Sequence, residues 1–432
     1  MSKEKLAILV GGGPAPGINS VISATTIRAL LQGVEVLGIR DGFSNIMRGR
    51  IDADAVRPMR LEDVSRIHFS GGSVLGTARD NPTKDPKLLD TVVESLTKLG
   101  VTQLITIGGD DTAFSAMKVA ERANGRVRVA HVPKTIDNDL DLDRDVDTFG
   151  YQTARHVGVE IVKNLMVDAK TTSRWYLAIA MGRKAGHLAL GIGKAAGATL
   201  TLIPEEFPRF KTTLQTLADT LAGAIIKRRA EGHSDGVAVL AEGLVESLPE
   251  EDLKKFGNIE YDDHGHIRFS EIDIGDGIKK ATVKRLKELQ IKTTIVSKNI
   301  GYELRCADPI PMDMEYTRDL GYCAAKFLFS GGNAAMVSMQ GGNFVPIPFA
   351  QMLDPQTGRT RVRMVDVHST RYAIARRYMI RLRRDDFEDN VTVKKFADIA
   401  HLSPDEFQKQ FSYLIENEDP PLDLLHRDGA RR

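Results

Sequence analysis

An α/β fold with mainly parallel sheets is what the sequence predicts, and three observations carry the prediction. Short apolar runs bounded by glycine alternate with longer helical patterns, the signature of βα units rather than of an all-β or all-α chain. The most charged runs lie just past such apolar runs, and open α/β sheets bind ligands beyond the carboxyl ends of their strands. A chain of 432 residues, 42% hydrophobic and 27% charged, is long enough for two or three domains around a large core.

Taken in order, residues 6–10 read as a strand, 18–32 as a helix, 34–39 as a strand, and 86–99 as a helix closed by Gly100. Strand 104–107, helix 113–123 and strand 127–132 follow. After a helix near 152–167 a second set begins, with strand 175–180, helix 185–196, strand 199–203, helix 212–230 and strand 237–240. Residues 244–273 are charged and irregular and read as a surface excursion. Residues 293–296, a helix over 313–328 and residues 335–339 come next, and beyond Met352 the pattern is helical. Ser403-Pro404-Asp405-Glu406 there is a capping box with proline at the first helical position. Arg371, Arg376, Arg377, Arg381, Arg383 and Arg384 crowd one helix-like stretch, which reads as a solvated or oligomer-facing surface. The expectation is thus two Rossmann-like three-layer α/β domains with mainly parallel sheets and a helical C-terminal extension. Residues 1–150 form the first, to which the chain returns at about 306–345; residues 151–305 form the second, and 346–432 the extension.

Composition narrows the partners. With 59 basic and 58 acidic residues the net charge is +1, so no global field favours nucleic acid or an acidic membrane. Cys306 and Cys323 are the only cysteines, too few for a disulfide scaffold and suited to a reducing cytosol. The N-terminus passes at once into an apolar strand without a secretory h-region, and nowhere do eighteen apolar residues run together. A cytoplasmic protein with neither nucleic-acid nor membrane partners is expected.

The chemistry gathers in a few runs. Pro133-Lys134-Thr135-Ile136-Asp137-Asn138-Asp139 lies just beyond Gly108-Gly109-Asp110-Asp111-Thr112. Carboxylates, a single lysine and glycine-exposed amides are the parts that phosphoryl transfer needs: a proton acceptor, a metal holder and a cation for the non-reacting phosphate. Asp137 and Asp139, two apart, share a side if the segment is extended. Gly11-Gly12-Gly13-Pro14-Ala15-Pro16-Gly17 joins a strand to a helix and can face an anion, although a tight turn explains it as well. Gly71 to Arg79 offers flexible backbone ending in an arginine. Met181-Gly182-Arg183 repeats the layout of strand, glycine and cation, with Arg174 at the start of that strand. Glu242 follows another strand, and Tyr302-Glu303-Leu304-Arg305 adds a ring, a carboxylate and a guanidinium.

Together these runs, spread from Gly11 to about Gly321, resemble the phosphofructokinase family. The resemblance implies that Gly13, Gly109 and Arg79 meet the phosphoryl donor, that Asp110 supports Mg²⁺, and that Asp137 takes the proton from the 1-hydroxyl of fructose 6-phosphate. Thr135, Ile136 and Asp139 frame that site. Met181, Gly182, Arg183, Glu242, Tyr302, Glu303 and Arg305 bind the sugar phosphate, and Arg174 reaches it from a neighbouring subunit of a homodimer or homotetramer. Asp111 and Lys134 stand where ATP-using members have glycine, as in the pyrophosphate-dependent branch. A carboxylate at Asp111 repels the α-phosphate of ATP, and Lys134 stabilises the leaving phosphate. The implied reaction is reversible, Mg²⁺-dependent transfer from pyrophosphate to fructose 6-phosphate. The alternatives are an ATP-dependent 6-phosphofructokinase, a related acceptor such as sedoheptulose 7-phosphate, or a non-catalytic regulatory subunit.

Overall fold

A computed structural model describes residues 4–142, 146–207, 212–256, 272–356, 360–416, 418 and 422. In chain order its strands are β1 (Lys5–Val10), β2 (Glu35–Ile39), β3 (Val56–Pro58), β4 (Gln103–Gly108), β5 (Arg128–Pro133), β6 (Trp175–Ala180), β7 (Leu200–Leu202), β8 (Gly236–Ala241), β9 (Ile295–Ile300), β10 (Ala335–Gln340) and β11 (Asn343–Pro348). The chain divides into two units: residues 1–157 with 301–363, and residues 158–300 with 364–432.

The first unit holds a seven-stranded sheet in the order β11-β10-β5-β4-β1-β2-β3. Its five central strands run parallel, while β3 and β11 pair antiparallel at the two edges. Both faces are covered, which is why β1 is apolar from Leu6 to Val10. The period of two divides their side chains between two cores. Leu6, Ile8 and Val10 pack with Ile18 and Ile22 of the helix Ile18–Leu30 and with Leu320 and Leu328 of the helix Pro311–Phe329. Ala7 and Leu9 face the opposite core, with Val92 and Leu96 of the helix Pro86–Lys98 and Ala116 of the helix Asp110–Ala123. The first two helices cross closely at Gly321, where a Cβ would stand 2.7 Å from the carbonyl oxygen of Val21. Asp313, buried at the start of its helix, accepts hydrogen bonds from the amides of Gly150 (3.0 Å) and Thr153 (2.7 Å), satisfying donors at the opening of the helix Tyr151–Thr172.

The second unit holds a four-stranded, fully parallel sheet in the order β7-β8-β6-β9. Residues 364–432 belong with it. The Ser403–Glu406 capping box forms, with the Ser403 amide 2.9 Å from Glu406 Oε2 and the Glu406 amide 3.3 Å from Ser403 Oγ.

Several expectations are corrected. The arginine-rich stretch is not one solvated helix: Thr370–Tyr378 and Arg384–Glu388 are separate. Arg381, 6% exposed, is buried against Glu206 at 2.6 Å. Arg383 donates to the carbonyls of Arg376 and Met379, satisfying the end of the first helix. The supposed surface excursion starts inside the unit, with Leu244, Val245, Leu248 and Leu253 buried on short helical turns; residues 257–271 of it lie outside the described residues. The helix Asp110–Ala123 begins three residues before expected, with Gly109 as its N-cap and both aspartates in its first turn, where they face the positive end of the helix dipole. Among the described residues no helix is long and apolar enough to cross a membrane.

Candidate active site

In the first unit the sheet places three loops side by side. Beyond β1 the Gly11 amide donates to the carbonyl of Ile107 at the end of β4 (2.8 Å), and the Gly12 amide to the carbonyl of Ala78 (2.7 Å). The glycine turn, the turn opening the Asp110–Ala123 helix and the segment carrying Arg79 are thereby tied together. Gly12 has φ +82°, a conformation that disfavours a side chain. Lys134, only 6% exposed, continues from β5. Its amide donates to the Gly108 carbonyl at 2.8 Å and its Nζ to the Gly13 carbonyl at 2.6 Å. A charged donor at that distance is strong and well placed.

His131 on β5 supports this arrangement. It is fully buried, with Nε2 3.0 Å from the same Gly108 carbonyl and Nδ1 2.8 Å from Thr106 Oγ1. Burial drives its pKa down to about 3, so the ring is neutral. A carbonyl can only accept, which assigns the proton to Nε2 and makes Thr106 the donor to Nδ1.

Gly13 and Arg79 share a cavity of about 310 Å³ with Gly12, Tyr302, Arg305 and Cys306. A Cβ on Gly13 would overlap Arg305 Nη2 at 1.6 Å, so glycine is what lets the guanidinium lie against the turn. Arg305 also stacks on the Tyr302 ring, with Cζ 5.6 Å from its centroid. Glu303 accepts the Gly301 amide at 3.2 Å and fixes the start of the short helix Tyr302–Arg305. A larger concavity of about 620 Å³ lies along the lysine-rich flank of the helix Ile274–Glu288 in the second unit; among the described residues it is lined by that helix alone and carries none of the groups just described.

The loop after β5 holds Ile136, Asp137 and Asp139, all under 10% exposed. Thr135 Oγ1 accepts the Asp137 amide at 3.0 Å, and its carbonyl accepts from Thr148 Oγ1 at 2.7 Å. Asn138 between the two aspartates is left-handed, with φ +56°. The segment is therefore not extended, and the alternation argument for a shared side does not apply. Among the described residues three partners hold Asn138: its Nδ2 donates to Asp147 (2.7 Å), while its Oδ1 accepts from the Thr148 amide (3.0 Å) and from Arg363.

In the second unit the turn after β6 meets the end of β8. Glu242 Oε1 accepts the amides of Gly182 (3.0 Å) and Arg183 (2.7 Å). This holds Arg183, itself left-handed at φ +48°, with its side chain exposed. Met181 is anchored through its amide to the Ile300 carbonyl at 3.2 Å. Arg174 does not join them: it precedes β6 whereas Met181 follows it, and six strand residues span about 20 Å. It lies instead beside Asp168, 4.0 Å away.

Asn138, His131, Thr148 and Arg363 are the contributors that residue reading passed over. A histidine in an apolar strand and an arginine far along the chain carry no local signal.

Comparison with known proteins adds to this geometry. The sequence profile of the family described as phosphofructokinase matches residues 5–328. A protein of Thermotoga maritima named pyrophosphate–fructose 6-phosphate 1-phosphotransferase is 52% identical over 418 residues, spanning 96% of this chain and 99% of that one. One of Naegleria fowleri with the same name is 49% identical over 420 residues, spanning 95% and 96%. The crystal structure of a pyrophosphate-dependent phosphofructokinase from Marinobacter aquaeolei superposes with a TM-score of 0.64 at 15% identity, covering 93% of this chain and 92% of that one, a likeness of fold.

Proposed function

The chain belongs to the phosphofructokinase family, and from that premise we propose that it transfers phosphate reversibly from pyrophosphate to the 1-hydroxyl of fructose 6-phosphate, releasing fructose 1,6-bisphosphate and phosphate. The observation that carries this reading is Lys134: a buried ammonium, 2.6 Å from the Gly13 carbonyl, fixed beside the Gly-Gly-Asp-Asp turn. A cation pinned there serves a donor made of two phosphates, which brings no nucleotide to supply other contacts.

In the forward direction Asp137 accepts the proton of the sugar 1-hydroxyl as that oxygen attacks phosphorus. The new P–O bond forms while the bridging P–O bond of pyrophosphate breaks. Lys134, held in place before the reaction, offsets charge on the departing phosphate, and Arg79 faces the phosphoryl group being transferred. Gly13 and Gly109 bring amides to the donor, and the Asp111 carboxylate is the group proposed to exclude the α-phosphate of a nucleotide. Thr135, Ile136 and Asp139 shape the loop around the reacting hydroxyl. Arg183 with Met181, Gly182 and Glu242 in the second unit is assigned to the sugar phosphate, and the family resemblance assigns Tyr302, Glu303 and Arg305 of the first unit to it as well. Arg174, set apart within its own chain, contributes to the site of a second copy, so a homodimer or homotetramer is part of the proposal.

A magnesium ion fits the donor set. Among the described residues no three ligating side chains cluster, and Mg²⁺ is commonly held by one or two carboxylates plus substrate phosphates. Asp110 is the carboxylate that would hold it, and the ion would supply charge neutralisation between the phosphates. Cys306 and Cys323 are unpaired thiols, which fits a reducing compartment such as the cytoplasm.

Steady-state assay of the purified chain with fructose 6-phosphate and Mg²⁺, comparing pyrophosphate with ATP, tests the reading. Pyrophosphate is expected to give the higher kcat/KM by orders of magnitude, and equal use of ATP would overturn it. Competition between fructose 6-phosphate and sedoheptulose 7-phosphate settles the acceptor.

A further inference from the structure

The segment around residue 362 lies against the loop that carries Asp137 and Asp139. Val362 bridges antiparallel to Leu140, the Arg363 amide donates to the Asp139 carbonyl at 2.8 Å, and Arg361 pairs with Asp141 at 3.5 Å. The Arg363 side chain does more. Its Nε and Nη2 donate to the Asn138 carbonyl at 3.2 and 3.1 Å, Nη2 also reaches Asn138 Oδ1, and Nη1 donates to the Val146 carbonyl at 2.9 Å. All three guanidinium nitrogens are thus spent on one loop, a planar fork that a lysine cannot reproduce. Arg363 lies beyond residue 328, where the match to the family profile ends.

We infer that Arg363 is a positioning residue for proton transfer, acting through Asn138 to fix the direction of the Asp137 carboxylate. Asn138 holds a left-handed backbone (φ +56°), which costs a residue with a side chain more than glycine and persists only where surroundings over-determine it. Arg363 grips that residue by its carbonyl and its amide oxygen at once. Asp137 is the very next residue toward the N-terminus, so a change of φ at Asn138 swings its carboxylate relative to the rest of the site. A misplacement of about 1 Å is enough to slow a reaction by about a hundredfold.

The inference rests on Asp137 being the proton acceptor, and the experiment separates the two. Pyrophosphate-dependent kcat and KM for fructose 6-phosphate are measured for the full chain, Arg363→Ala, Arg363→Lys, Asn138→Gly and the double variant Arg363→Ala/Asn138→Gly, with circular dichroism reporting the folded fraction. Arg363→Ala is expected to lower kcat by about 10- to 100-fold with KM changed less than about threefold. Arg363→Lys should recover only part of the loss. Added guanidinium should restore turnover to Arg363→Ala but not to Asp137→Ala. The double variant should fall short of the product of the single losses, because both act on one residue. Unchanged kcat per folded Arg363→Ala molecule, a loss confined to KM, or strictly additive losses without guanidinium rescue would each overturn the inference. An unsubstituted chain inactive with pyrophosphate would instead overturn the proposed function. If Arg363→Ala does not fold, the Arg363→Lys and Asn138→Gly kcat values decide: both near the unsubstituted value sink the inference.

Discussion

Replacing Asp111 by asparagine isolates the charge that is proposed to exclude ATP. A full negative charge about 4 Å from a second one costs about 4 kcal/mol at an effective dielectric near 20, but only about 1 kcal/mol at the dielectric of water. Asp111 is exposed in the first turn of its helix, which puts it near the lower figure. About 1 kcal/mol corresponds to a roughly fivefold change in rate. Asp111→Asn, nearly equal in shape, should therefore raise kcat/KM for ATP by only about fivefold. Asp111→Gly combined with Lys134→Gly removes the bulk and the buried cation too. It should raise ATP use well beyond that while depressing pyrophosphate use. The assay is steady-state kinetics with each donor at saturating fructose 6-phosphate, alongside thermal unfolding to establish that the variants fold. A gain of about a thousandfold in Asp111→Asn alone would mean that the site is dry and the exposure argument wrong. A folded double variant still inert to ATP would refute exclusion by these two side chains.

Three further outcomes are expected. Lys134→Met should lower kcat with pyrophosphate by about 10²–10³-fold, the scale for losing one preorganised charge stabiliser, with a much smaller effect on KM for the sugar; equal losses in both would make Lys134 a binding residue. His131 is ordinarily protonated near about 6.5 when unfolded but only near about 3 in the folded chain. The unfolded state therefore binds the extra proton as pH falls. The stability from the neutral ring is present above pH 6.5 and is lost toward pH 3, by up to about 1.4 kcal/mol per pH unit. His131→Gln should flatten this part of the urea-midpoint profile between pH 7 and pH 5, and an unchanged slope would show that His131 is not responsible. Finally, if Arg174 serves a neighbouring copy, Arg174→Ala and Asp137→Ala chains that are each nearly inactive should regain activity when unfolded and refolded together. No recovery in mixed oligomers confirmed by mass measurement would place Arg174 outside the site.

The central strands were legible because both faces of a covered parallel sheet must be largely apolar, so β1 and β6 carry continuous apolar runs and β4 and β5 are broken only by single polar residues such as Thr106 and His131. Edge strands lack that signal. Asn343–Pro348 is half exposed and carries Pro346 and Pro348, which an edge tolerates and an interior strand does not. The helix Ile274–Glu288 is also faint in sequence, with two glycines and many lysines; Asp273 caps it and a narrow stripe including Ile278 and Leu286 is buried. In the candidate site, glycines and charges placed after strands announced themselves locally. Arg363 could not, since its contact with Asn138 spans 225 residues, and the left-handed turn at Asn138 depends on those distant partners.

The pairing of β5 with β10 has a consequence for how the polypeptide is made. β5 ends at Pro133 and its neighbour begins only at Ala335. At synthesis rates of roughly 5–20 residues per second, the ribosome needs about 10–40 s to deliver the missing strand. Throughout that interval one flank of β5 offers unmated amides and carbonyls to whatever strand arrives first. Translational pauses between these two points, or premature termination there, should leave nascent chains prone to aggregate, and chaperone demand should peak before residue 335 emerges.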